Sequence, residues 1–151
     1  MEPQRFTASV WTQGSLVGIV LPFDPNAVWG EKSRHDVTGT VGGRWIRGPL
    51  QRYEHAYVLA LGPAWRRDAD FDLSQPLDVE LQPESPRVEE LPEDIAQALI
   101  AMPEARHTFE SIAPFYRKNY IRWIVDAKRP ETRAVRIAEA VRKLAAGQRQ
   151  R

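Results

Sequence analysis

His35, His55 and His107 are the only imidazoles in this chain of 151 residues, and no cysteine accompanies them. Imidazole is the usual base at neutral pH and the commonest metal ligand. The three histidines lie far apart in the sequence, however, with no metal-ligand spacing, and there is no thiolate to complete a zinc site. The run Gly39-Thr40-Val41-Gly42-Gly43 lacks the Lys-Ser/Thr ending of a phosphate loop and leads into a strand. Its glycines are expected to serve a tight turn or a bulge. Ser15 and Ser33 have no nucleophile-elbow context. Asp68, Asp70 and Asp72 show the i, i+2, i+4 start of a calcium loop, but the glycine and closing Glu do not follow, so they read as solvated loop acids. The sequence therefore carries no catalytic constellation, metal site or cofactor motif, and a non-enzymatic role is expected.

Recognition chemistry is more visible than reaction chemistry. The alternative to a binding or interaction module without catalysis rests on Trp29, Arg34, Arg44, Trp45 and Tyr53, which cluster around the third and fourth strand-like segments, where a barrel would present a small-molecule pocket, a catalytic one included. An arginine beside indoles would hold an anionic or aromatic ligand through a charge-assisted hydrogen bond and stacking. A second group lies near the C-terminus. Arg129, Arg133, Arg136 and Lys143 recur opposite the apolar stripe of the last helical segment, with Lys128 at its start and Lys118 and Arg122 flanking. Such an exposed ridge would meet phosphates rather than base edges, since no base-reading motif accompanies it.

Charge is distributed unevenly along the chain. Residues 1–85 hold 8 Lys/Arg and 11 Asp/Glu, a balance of −3, whereas residues 86–151 hold 13 and 9, a balance of +4. Residues 115–151 alone carry 11 basic and 3 acidic residues, +8. An asymmetry of this kind suits an anionic partner, but a solvated helical face is the commoner reading. The expected partner is a small molecule or a protein, with nucleic acid as the alternative. The stretch "MEPQRFTASVWTQ" lacks the basic-then-apolar layout of a secretory signal, and no apolar run reaches the length of a membrane span. A soluble, cytoplasmic protein is the expectation.

Two textures must position these residues. From about residue 4 to 84 the pattern is β. "RFTASVWT" alternates as one strand, "LVGIVLP" reads as a buried strand, and "HDVTGTV" and "RWIRG" form a hairpin around Gly42-Gly43. "EHAYVLALG" and "PLDVELQPE" complete six strands, which suit a small barrel. Between the second and third strands, "DPNAVWGEKS" predicts one helical turn with Asp24 as cap and Pro25 in the first position. From about Leu91 the chain is helical, with Pro92, Pro103, Pro114 and Pro130 each opening a new helix and Gly147 closing the last. The fold class is α+β, with a barrel at residues 1–85 and three to four short helices at residues 86–151.

The helical part, "LPEDIAQALIAMPEARHTF" with "FESIAPFYRKNYIRWIVDAKRPETRAVRIAEAVRKLAAG", resembles the YdeI/OmpD-associated (bacteriocin-protection) family. The joint from Ala127 to Arg133 is the most specific piece. The front half, with "GIVLPFDPNAVWG", "HDVTGTVGG" and "YVLALG", resembles the domain of unknown function 1905. The resemblance implies a bacterial protein with a small double-split-type barrel followed by compact helices, in a stress or antimicrobial-peptide-resistance setting. Related barrels occur in AbrB/MazE-like transcription factors, an analogy of fold alone. The resemblance carries over no catalytic residues. Where similar barrels have a Gly-Asp pair before the last strand, this chain has Gln75-Pro76, and a longer loop bears Trp65, Arg66 and Arg67.

Overall fold

The structure is a computed structural model that describes residues 3–150. The chain divides into two compact units. Residues up to Glu31 and from His35 to Glu84 form a sheet unit, and Lys32–Arg34 together with the chain from Ser85 onward form a helical unit.

The sheet unit contains β1 (Gln4–Ala8), β2 (Trp11–Gln13), β3 (Leu16–Val20), β4 (Asp36–Val41), β5 (Arg44–Tyr53), β6 (Ala56–Ala60) and β7 (Leu77–Pro83). All neighbours are antiparallel, in the order β1-β7-β4-β5-β6-β3-β2. The two edge strands, β1 and β2, are consecutive in the chain and only Ser9 and Val10 separate them. Three Cα–Cα steps span at most about 11 Å, whereas seven strands laid flat would be about 29 Å wide. The sheet must therefore curl, and it forms the small barrel expected from the sequence as a curled half-barrel. The strand β5 makes the curl continuous, pairing with β4 as far as Pro49 and with β6 from Leu50.

One expectation changes here. "RFTASVWT" is two strands on opposite edges rather than one. The alternation runs through the break because Phe6, Ala8 and Val10 all pack against the same core. Period-2 patterning thus has no way to register the change of edge.

The inner face buries Ile19, Val37, Val41 and Leu81 completely. Two short helices attach to the sheet: α1 (Pro25–Trp29) and α2 (Pro63–Asp68). The first is capped as the sequence predicts, with the Asp24 carboxylate accepting from the Asn26 N–H at 3.0 Å. The second occupies part of what read as a loop. Gly42 and Gly43 join β4 to β5 with φ of 61° and 79°, the left-handed pair that a two-residue hairpin turn requires.

In the helical unit, a 3₁₀ turn at Val88–Glu90 precedes α3 (Glu93–Ile100), α4 (Pro103–Ser111), α5 (Pro114–Val125) and α6 (Pro130–Ala145). Each helix starts where a proline fixes φ and removes a donor that would have no intrahelical acceptor. Pro92 caps α3, and prolines open the other three. Gly147, at φ 81°, ends α6, and the Gln148 N–H returns to the Lys143 carbonyl at 3.0 Å. Phe109, Tyr120, Ile124 and Leu144 fill the core, while Trp123 stays partly buried at its margin. No helix among the described residues is long and apolar enough to cross a membrane.

Gly39 sits in the middle of β4 with strands on both sides, and a Cβ there would run into the Glu80 carbonyl of β7. Gly48 on β5 has open space at the same position. Gly39→Ala is expected to cost about 3 kcal/mol or more, enough to lower the melting temperature by roughly 10 °C, while Gly48→Ala shifts it by about 2 °C or less. Thermal unfolding followed by circular dichroism distinguishes the two variants, and equal melting points would contradict the β4–β7 register.

Candidate ligand-binding site

The five residues marked by the sequence as pocket candidates are distributed over several places. Trp29 is in the core of the sheet unit, edge-on to Phe23 at 5.2 Å, and its Nε1 has no hydrogen-bond partner among the described residues. Arg44 lies across the Trp65 ring at 5.5 Å and donates to the Asp68 carbonyl at 3.1 Å, which ties α2 to the start of β5. Trp45, the next residue, points to the other side of the sheet and is 60% exposed. Tyr53 packs edge-on against Trp11 at 5.1 Å. It is eight residues beyond Trp45 on the same strand, up to about 26 Å away. Arg34 is exposed and belongs to the stretch that accompanies the helices. Only Arg44 and Trp45 are neighbours, and they face opposite ways because alternate residues of a strand do so.

A different set of residues converges. Beside α1, Leu21, Pro22, Phe23 and Ala56 form the apolar part of a cleft of about 380 Å³, and Asp24, Asn26, Arg52, His55 and Tyr57 supply its polar groups. The geometry begins with Asn26, the second residue of α1. Its amide nitrogen donates to the Tyr57 hydroxyl at 2.9 Å, and its amide oxygen lies 2.7 Å from Nε2 of His35. Because that oxygen can only accept, His35 carries a proton on Nε2. His35 is 4% exposed and stands edge-on to the Tyr57 ring at 5.9 Å. The hydroxyl of Tyr57 thus receives one hydrogen bond and keeps its own proton to donate. Arg52, the cross-strand partner of Tyr57, lies over the same ring at 5.4 Å. His55 sits in the turn between β5 and β6 and lines the same cleft.

This arrangement has a clear chemical capability. A hydroxyl fixed in orientation, a guanidinium stacked on its ring and an imidazole at the rim offer donors to one anionic group, while Leu21, Pro22 and Phe23 supply apolar contact. The Asp24 carboxylate, half committed to capping α1, adds an acceptor to the lining. Sequence reasoning missed these residues because β5 and β6 bring Arg52 and Tyr57 together only in the fold. The available signal was Asn26, an amide inside a capped turn where Asp24 already fills the capping role.

The basic group near the C-terminus is also rearranged by packing. Arg133 makes a two-pronged pair with Asp94 on α3, at 2.7 and 2.9 Å. Arg136 donates to the Trp123 carbonyl at 2.8 Å and lies 5.3 Å over the Trp123 ring. The expected ridge of three exposed arginines is therefore reduced. Lys128 and Arg129 remain exposed at the α5–α6 joint, whereas Arg133 and Arg136 serve the packing of α6 against its neighbours. Helical spacing places such residues on one side of α6, but cannot show that α3 and α5 carry partners for them.

A second ionic network organises the start of the helical unit. Arg87 donates three times to the Glu90 carboxylate, through its backbone N–H at 2.8 Å, Nε at 2.9 Å and Nη2 at 3.3 Å, and Ser85 adds its hydroxyl. The Arg87 side chain, assisted by Ser85, holds the Glu90 carboxyl down to about 2. Lys32 pairs with Glu110 at 4.0 Å, and burial pulls its ammonium below the usual lysine range. Arg133 similarly keeps the Asp94 carboxyl below its ordinary value.

A curled antiparallel half-barrel, followed in the chain by four short helices, defines a small α+β protein. Residues 6–81 match the domain of unknown function 1905, and residues 90–147 match the bacteriocin-protection family described as YdeI or OmpD-associated. The chain belongs to the domain of unknown function 1905 family, with the YdeI/OmpD-associated region after it, in the order that the resemblance implied. No curated protein matches the chain.

The Glu90 carboxylate is more acidic in the folded state than when unfolded, so its contribution to stability is fully present above the ordinary carboxyl range. It is lost as pH falls from 4.5 toward about 2. At this partly exposed site the contribution is about 1 kcal/mol after allowance for solvent screening. Glu90→Gln should lower stability at pH 7 by that amount and flatten the acid limb. Urea denaturation at a series of pH values measures both effects, and an unchanged acid limb would show that the Arg87 pair has no role in it.

Proposed function

We propose that this protein is a non-enzymatic binding module whose sheet unit holds a small carboxylate or phosphate-bearing molecule in the cleft beside α1. The observation that carries this reading is the bridge made by Asn26 between His35 and Tyr57, which fixes the Tyr57 hydroxyl at the cleft with a proton to give. Arg52 supplies the positive charge expected of an anion site, the His55 imidazole adds a polar group at its rim, and the apolar wall from Leu21 to Phe23 would take the rest of the ligand. Binding rather than catalysis is favoured because the buried imidazole nearest the cleft is committed through Nε2 to holding Asn26. A role for this bacterial family in stress or antimicrobial-peptide resistance draws its support from the family description alone.

Isothermal titration with citrate, succinate and phosphoserine tests the reading. At least one should bind. Arg52→Gln should weaken that binding about tenfold or more, as expected for a charge-assisted hydrogen bond, and Tyr57→Phe about fivefold, as for a neutral one. Arg52 is exposed, so Arg52→Gln should leave the melting temperature close to that of the wild type, whereas Tyr57→Phe keeps the ring against the core and should lower it only slightly, through loss of the hydrogen bond from Asn26. Absence of binding by all three anions at millimolar concentration, or affinities indifferent to both substitutions, would refute the cleft as an anion site.

A further inference from the structure

The outer face of the half-barrel has a site of different character, separate from the cleft. Antiparallel register places Trp45 opposite Thr40, Thr40 opposite Glu80, and Glu80 opposite Arg5. Directly paired residues project to the same side, so these four form a row across β5, β4, β7 and β1. The neighbouring pair Thr7 and Asp78 belongs to the same face. Arg5, Thr7, Thr40, Asp78 and Glu80 line a shallow depression of about 570 Å³. The indole of Trp45 adjoins it through the Thr40 pairing and is 60% exposed. Its backbone is held in place, since the Trp65 Nε1–H donates to the Trp45 carbonyl at 2.9 Å.

We propose that this face binds a neutral saccharide, with a pyranose ring stacked on Trp45 and its hydroxyls hydrogen-bonded along the row to Glu80, Asp78 and Thr40. Three features select that occupant. A broad indole beside hydroxyl and carboxylate groups matches a molecule with an apolar C–H face and a polar rim. Arg5 compensates Glu80 at 3.0 Å and leaves Asp78 as the excess charge among the lining residues, a lone carboxylate that suits hydroxyl donors rather than an anion. Asp78 is held by the Thr7 hydroxyl at 3.1 Å, which orients its carboxylate and leaves acceptor capacity for a ligand hydroxyl. A protein partner fits less well. A stable protein interface needs roughly 800 Å² a side with an apolar centre, and this row offers a single indole among Thr, Asp, Glu and Arg.

The test is titration of the full chain with cellobiose, maltose and N,N′-diacetylchitobiose, read by ligand-observed saturation-transfer NMR and calorimetry. At least one disaccharide should bind. Trp45→Ala should weaken it about tenfold or more, since it removes the stacking surface, and Glu80→Gln should weaken it less. The melting temperature of Trp45→Ala should be unchanged, as the side chain is exposed. Arg52→Gln, which alters the cleft beside α1, should leave disaccharide binding intact, so that the two sites succeed or fail separately. The proposal is overturned if none of the three sugars binds, if binding survives Trp45→Ala, or if sedimentation velocity shows that Trp45 is covered in a dimer that this substitution dissociates.

Discussion

The two-residue link from Ala8 to Trp11 governs the architecture of the sheet unit. It requires the first and last strands of a seven-stranded sheet to lie within reach of one short connection, which only strong curling allows. Curling gives the sheet an inner face that buries Ile19, Val41 and Leu81, and an outer face that is polar across β1, β7 and β4, where Arg5, Asp78, Glu80 and Thr40 stand. The other adaptations of the sheet follow from it. The long strand β5 passes from one half to the other, and Gly39 allows β4 to lie close against the Glu80 carbonyl. Trp45 and Arg44 are parted by the same geometry, since one turns outward to solvent and the other inward over Trp65.

Within that frame, α1 has a purpose beyond filling the connection between β3 and β4. Asp24 and Pro25 define its start, and this sets Asn26 where its amide can reach both His35 and Tyr57. A buried histidine next to an aromatic ring would otherwise leave a polar nitrogen to be satisfied, so the bridge is structural and chemical at once. Its consequence is a tyrosine hydroxyl of fixed orientation beside Arg52. The helical unit uses its polar groups differently. Arg133, Arg136 and Arg87 are drawn into contacts with Asp94, Trp123 and Glu90, so much of the positive charge in this unit holds helices and turns to one another.

Local rules were enough for the α+β class, the four proline-opened helices, the Asp24 cap, the glycine turn at Gly42-Gly43 and the glycine stop at Gly147. Each depends on the dihedral preferences or hydrogen-bonding needs of a few consecutive residues, which the sequence states directly. The likeness to the two families was also carried by contiguous segments, "GIVLPFDPNAVWG" and "AKRPETR" among them. The candidate site was much less legible. Trp29, Arg44, Trp45 and Tyr53 are near one another in sequence, yet strand alternation and the length of β5 send them to different faces and ends.

What the sequence by itself determined was therefore the identity and order of the elements, together with the uneven placement of charge. Tertiary structure alone decided that "RFTASVWT" divides between opposite edges, that Asn26, His35, Arg52 and Tyr57 meet, and that two arginines of the last helix turn to neighbouring helices. The reason is physical. Periodicity reports which side of an element is apolar, and it is blind to which distant element lies opposite. Strand pairing and helix packing set that relation, through contacts between residues that can be 75 positions apart, as Arg5 and Glu80 are.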